Sequence, residues 1–301
     1  MKVALALAAY VAAVGTVVWS IGGVPASRDL LVPVLLGGIA AASATSVARL
    51  RRVVGALLVD WAPFVLSLWL YDLVRGFADG NWMPVHVRPQ IRVDEWIGLG
   101  SVPTVWLQDR LWGGIEAIHW WDYAAWAVYM SYFFVPTLVL AVLWLRDRAL
   151  FRRLAAMVVG LAVAGCATYV LFPAAPPWWA YRHGALPPVH RIIPTVNAHV
   201  PVIAFQPLWE TGTQYANDVA AVPSLHGAYT LLVVLFLLPR LRSRWRHLLW
   251  LYPAAMAFVL AYTGEHYVSD VLLGWVYAVA MYLAVERIAL PRLHLAVPRR
   301  P

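Results

Sequence analysis

Apolar residues in this chain gather in long runs; they do not alternate or line one side of a helix. Eight runs, at 3–22, 30–48, 53–74, 122–145, 154–173, 222–239, 248–264 and 267–289, come near the length that crosses a bilayer, about 20 residues as a helix. A lipid interior forces a spanning segment to satisfy its own backbone hydrogen bonds, so such runs predict helices. The expected fold is all-α, a polytopic membrane helix bundle with about eight transmembrane helices in a single membrane domain over 1–301. Asp60 and Pro63 interrupt the third run, and the seventh is short. Two longer connections lie at 75–121 and 174–221. In the first, WLQDRLWGGIEAIHWW at 106–121 has the pattern of an amphipathic helix lying in the interface. The second opens rich in proline and continues polar.

Composition agrees with the pattern. The chain is 62% hydrophobic and 13% charged, against about 25% charged in soluble domains. Its 17 Trp and 14 Tyr suit membrane–water interfaces. Cys166 is the only cysteine, so neither an internal disulfide nor a thiolate metal cluster is available. A net charge of +8 would suggest nucleic acid in a soluble protein. Here the basic residues sit between hydrophobic runs, where they orient the chain, and no nucleic-acid module is present.

Sixteen of the 23 Lys and Arg residues fall at Lys2, 49–52, 146–153, 240–246 and 287–300. The other seven are Arg28, Arg75, Arg88, Arg92, Arg110, Arg182 and Arg191. Every cluster lies on the parity that an eight-span topology assigns to the cytoplasm, which places both termini there. The expected location is integral to the plasma membrane. Lys2, the first run and VPAS at 24–27 also resemble a signal peptide with its cleavage site. The run is long for one, and the parity works with the first helix retained.

Candidate chemistry is concentrated in AVPSLHGAYT at 221–230 and GEHYVSDVLLGW at 264–275. His266 and Asp270 are four apart, which on a helix puts them on one face. A carboxylate beside imidazole fixes its tautomer and stabilises the charge it gains. His266 so oriented can attack phosphorus. HYVSD also reads as the polar start of a helix at the interface. His226 follows Pro223 and Ser224 at the start of the sixth run. Proline suits a first helical turn and serine can cap it. The free N–H groups there favour an anion, and a histidine there can protonate a leaving oxygen. Parity puts His226 and His266 on the same, extracytoplasmic side.

PSLH at 223–226 and HYVSD at 266–270, preceded by LFPAAPPWW at 171–179, resemble motifs of the type 2 phosphatidic acid phosphatase superfamily. They are most similar to its inositol phosphorylceramide synthase branch, over about 165–275. The resemblance implies a six-helix catalytic core over 53–290, with 1–50 as two accessory helices. It implies a phosphohistidine mechanism with no metal and no cofactor. His266 would be the nucleophile, Asp270 its orienting partner and His226 the acid, with Ser224 helping to cradle phosphate. The phosphate would pass to water or to an alcohol or polyol acceptor. The substrate would be a lipid phosphate or phospholipid.

The sequence also departs from the family's phosphatases. These carry a Lys/Arg first motif and an arginine six residues before the third-motif histidine. Here that position is Leu260, and no KxxxxxxRP string occurs. A phosphoryl group in transfer still needs positive charge. Arg182 and Arg191 are the candidates, with lipid head-group binding as their other reading. Arg75 and Arg110 are weaker ones. Asp72 and Arg75 form a possible ion pair. Trp178 and Trp179 are expected to anchor at the interface or to line a lipid entrance. The remaining histidines are read as structural or solvated. Hydrolase and transferase stay open. The alternative class is a transporter or channel with a histidine proton relay, which predicts mid-membrane ionisable residues and internal repeats. A metal site of the two histidines and Asp270 is the third reading.

Overall fold

The computed structural model describes residues 2–20, 28–77, 83–200 and 217–289. The eight apolar runs all contain helices. They are α1 (Lys2–Ser20), α2 (Arg28–Ala42), α3 (Val47–Phe77), α6 (Trp120–Arg146), α7 (Arg148–Leu171), α10 (Leu225–Leu237), α11 (Leu251–Tyr262) and α12 (Val268–Ala284). Among the described residues, four short helices lie in the two long connections: α4 (Arg88–Ile97), α5 (Pro103–Leu111), α8 (Pro177–Arg182) and α9 (Ile192–His199).

Among the described residues, four helices are long and apolar enough to cross a membrane: Val47–Leu70 within α3, all of α6, all of α7, and Val268–Arg287 where α12 runs on into a π-turn. The protein is an integral membrane protein. The other apolar helices are shorter. Leu238–Arg240 extends α10 and Arg244–Trp250 precedes α11, both as 3₁₀ turns. A 3₁₀ turn rises about 2 Å per residue against about 1.5 Å in an α-helix, so it adds length cheaply.

Two boundaries differ from expectation. The second run ends in a turn after Ala42, and residues from Val47 belong to the next helix. The segment 106–121 is not one amphipathic helix. Helix α5 stops at Leu111 and α6 begins at Trp120. Gly114, at φ +92°, takes a left-handed conformation that a helix cannot contain.

The core lies between α3, α6, α7, α10, α11 and α12, with Trp61, Phe151, Leu154, Met157, Leu232 and Phe236 fully buried in it. On the outside of the long helices Leu58, Leu66, Leu138, Val142, Val163 and Val276 are exposed. Apolar side chains on both sides of a helix mark a bundle whose solvent is lipid. Helix α1 packs on α2. At one end of the bundle, Arg152 Nε and Nη2 donate to Asp60, at 2.9 and 2.8 Å, and Trp144 Nε1 donates to its other oxygen at 3.0 Å. This explains the carboxylate inside an apolar run: it is paired and hydrogen-bonded.

The described parts of the long connections, 83–119 and 172–200, fold over the opposite end. Ala174, inside LFPAAPP, lies between two extended neighbours, bridging His86 on one side and Ala220 on the other. Its N–H donates to the Val219 carbonyl at 2.7 Å, and Ala221 N–H donates back to it at 3.1 Å. The proline-rich string is thereby held alongside the residues that lead into PSLH.

Candidate active site

The third-motif string is shaped by the end of α11. Glu265 N–H donates to the Leu260 carbonyl at 3.1 Å and Gly264 N–H to Ala261 at 3.4 Å. This is a Schellman turn, which needs a left-handed residue. Gly264 supplies it at φ +76°, and a Cβ there would also lie 2.7 Å from the His190 carbonyl oxygen. The chain reverses directly into α12, whose N-cap is Tyr267. His266 therefore sits in the turn and not on the helix with Asp270, contrary to the expected single helical face. The two still meet. Asp270 is the third residue of α12, and its Oδ2 accepts the Tyr267 N–H at 2.9 Å. The same oxygen lies 3.5 Å from His266 Nδ1, within ion-pair range. Both residues are buried, at 6% and 1% exposure.

His226 arrives from α10. Ser224 caps that helix, its Oγ accepting the Gly227 N–H at 3.3 Å. Its backbone N–H donates to the Asp270 carbonyl at 3.0 Å, tying the starts of α10 and α12 together. Two glycines permit this approach. A Cβ at Gly274 would lie 2.3 Å from the Ser224 carbonyl oxygen, and one at Gly227 would lie 2.8 Å from Val271 Cγ1. The result is a His226–His266 ring separation of 5.6 Å. Tyr132 and Tyr129 flank the His226 ring, with centroids at 4.1 and 4.8 Å.

Positive charge comes from the second long connection. Arg191, at the start of α9, makes a forked contact with Glu265, the residue before His266: Nε to Oε1 at 3.0 Å and Nη2 to Oε2 at 3.2 Å. Two parallel charge-assisted bonds fix the guanidinium plane. Burial works to lower the Arg191 pKa, but the Glu265 carboxylate outweighs it and holds the group above its ordinary value, with Tyr129 and Asp218 acting in the same direction. Arginine is cationic whatever its surroundings, and Arg191 brings that fixed charge close to Tyr129, the tyrosine that stacks on His226. Arg182 is exposed. Its guanidinium and that of Arg191 both lie over the Trp178 ring, at 4.9 and 4.7 Å. Trp178 is 4% exposed, so it is a buried platform for cations and not an interface anchor.

Leu260 is fully buried in the core, and its carbonyl serves the turn that carries His266. Arg110 lies over Trp106 and bonds within its own helix. The side chains of Asp72 and Arg75 lie outside the described residues, as does VPAS at 24–27. His86 stacks on Phe172 and His183 on Trp179, which are packing roles.

Sequence reasoning missed Glu265 and Asp94. Glu265 had a signal, an acid next to a candidate nucleophile. Asp94 had none, being one charge among several in a loop that reads as polar. It is fully buried, and its two oxygens accept the Val268 and Ser269 N–H groups at 2.9 Å each.

This is a helical integral membrane protein whose histidines and paired carboxylates collect under a folded cap at one end of the bundle. It belongs to the PAP2 superfamily, whose family model matches residues 91–284. The match reaches back beyond the motif strings to the outer helices α4 and α5. A phosphoinositol dihydroceramide synthase from Bacteroides thetaiotaomicron is 30% identical over 171 residues, 52% of this chain and 54% of the relative. The chain thus matches about half the length of that curated relative. No solved structure matches significantly.

Proposed function

We propose that the protein is a lipid phosphotransferase. It would take a phosphoryl or phospho-head group from a membrane lipid through a phosphohistidine and pass it to an alcohol or to water. The observation that carries this reading is the convergence of His226, His266 and Asp270, with the histidine rings 5.6 Å apart and Asp270 3.5 Å from the Nδ1 of His266. Asp270 holds the Nδ1 proton and leaves Nε2 with its lone pair toward phosphorus. Attack by Nε2 forms the P–N bond as the bond to the leaving oxygen breaks. Protonated His226 gives its proton to that oxygen. The neutral His226 then takes a proton from the incoming hydroxyl, whose oxygen displaces His266. Both steps conserve charge and leave the pair as it began. Arg191, its guanidinium plane fixed by Glu265, offers positive charge to the transferring group. Ser224 would contribute through the N-terminal turn that it caps, and Arg182 through the lipid head group.

The similarity to a phosphoinositol dihydroceramide synthase and the buried Leu260 favour transfer to an alcohol over hydrolysis. Arginine parity supports an eight-span topology with this end extracytoplasmic and both termini cytoplasmic. Arg49, Arg52 and Arg148 line one cavity, and Arg240 pairs with Glu286, which groups the basic clusters at the bundle end that carries Asp60. Short α10 and α11 would cross with the help of their 3₁₀ extensions. Residues 53–290 form the proposed catalytic core and 1–50 two accessory helices.

The test is to incubate purified protein with a panel of lipid phosphates and phosphodiesters, with and without polyols. A new phosphodiester that requires the polyol is the expected product. A transient phosphoenzyme, labile in acid and stable in base, should form and be absent from His266→Ala. Turnover by His266→Ala at the wild-type rate would refute the mechanism.

A further inference from the structure

Helix α4 exposes Arg88, Arg92 and Glu95 as a surface helix does, but it also buries a carboxylate. Its sequence RPQIRVDEWI buries Gln90, Ile91 and Asp94, while Val93 and Trp96 are exposed, Trp96 at 80%. Ile91 belongs to a small apolar cluster with Val102, Ala180 and the fully buried Tyr267, which seats α4 against the start of α12. That seat delivers Asp94 to the first turn of α12. A buried carboxylate is costly unless it is hydrogen-bonded. Here Oδ2 accepts from Val268 and Oδ1 from Ser269. Asp270 Oδ2 meanwhile accepts from Tyr267. The consecutive N–H groups of residues 267, 268 and 269 are thus divided between two carboxylates, one from the loop helix and one from the helix itself.

The division has a consequence for the histidine. The first N–H groups of a helix have no intrahelical acceptor and seek one. Without Asp94, those of Val268 and Ser269 would compete for the carboxylate of Asp270, which lies in the same turn and must face His266. We propose that Asp94 is a positioning residue: by taking the Val268 and Ser269 amides, it holds the first turn of α12 so that Asp270 stays directed at His266. The proposal rests on the phosphotransferase reading for its kinetic part and on the hydrogen-bond geometry alone for its structural part.

Asp94→Asn and Asp94→Ala in the full chain test both parts. Asparagine retains one acceptor oxygen in the same place, and alanine retains none. Amide exchange by mass spectrometry should show lost protection at 267–270 in Asp94→Ala, with less loss in Asp94→Asn. The His266 imidazole resonances should move in the same order. With the best substrate, kcat should fall about 100-fold in Asp94→Ala and about 10-fold in Asp94→Asn, with KM little changed, as expected for a misplaced catalytic group. Unchanged exchange and unchanged His266 resonances in Asp94→Ala would overturn the proposal. So would a fall in activity that merely follows the fraction of folded protein. If the wild type turns over none of the panel, the phosphotransferase reading fails, and the exchange and imidazole signals still decide whether Asp94 holds the turn.

Discussion

Gly274→Ala tests the close approach of α10 and α12 with a single methyl group. An added Cβ at Gly274 would stand 2.3 Å from the Ser224 carbonyl oxygen and 3.2 Å from its carbon. An ordinary carbon–oxygen contact is near 3.3 Å, so the two helices must separate locally by about 1 Å. The clashing atom is backbone and cannot rotate away. Overpacking of this kind costs about 1–3 kcal/mol. The kinetic effect should appear in protein that is still folded. Ser224 N–H is bonded to the Asp270 carbonyl, and His226 lies two residues further along. A displacement near 1 Å at Ser224 therefore separates His226 from His266, and misplacements of that size can cost about 100-fold in rate. The assay is phospho-group transfer in detergent micelles beside thermal unfolding of the same preparation. Gly160→Ala is the control, because the atoms nearest its Cβ would be Sδ and Cε of Met281, the far end of a flexible side chain. The expected result is a fall of about 100-fold in kcat for Gly274→Ala, with most of the protein folded, and little change for Gly160→Ala. A Gly274→Ala protein with wild-type kcat would refute the claim that this contact sets the histidine spacing.

Asp270→Asn should lower kcat by about 10⁴, the scale seen when an imidazole loses its orienting carboxylate, with the purified variant eluting as the folded wild type does. For Arg191 and Glu265, a double-mutant cycle in thermal stability should give a coupling of about 1–3 kcal/mol; a coupling near zero would mean that the fork is not formed in the membrane. Arg191→Gln alone should reduce kcat/KM for the lipid phosphate, measured by initial rates. Burial raises the Asp94 pKa above 3.8, against smaller opposing effects of Ser269 and Val268. The native state then holds the Asp94 proton to higher pH than the unfolded chain, and stability falls as pH rises through that window. Wild-type stability relative to Asp94→Asn, followed by melting temperature against pH, should therefore decline from about pH 4 upward.

Much of this protein is legible in its sequence because hydropathy is local and additive. Runs of apolar residues mark α3, α6, α7 and α12 whatever they pack against. PSLH and HYVSD likewise identify the family through short-range spacing. Even so, local spacing misled at His266. The i, i+4 offset suggested one helical face, but Gly264 turns the chain so sharply that only Asp270 is in the helix.

What the sequence determined alone, then, is a helical membrane protein, its candidate catalytic residues and their family. Tertiary structure decided how those residues meet. It brings Arg191 rather than Arg182 onto the acid beside His266, sets the histidines 5.6 Å apart through two glycines, and sends Asp94 from a surface helix into the first turn of α12. Each of these contacts joins residues dozens of positions apart or turns on which helix face is buried. Hydropathy runs and motif spacing do not encode that, because it depends on how whole elements pack.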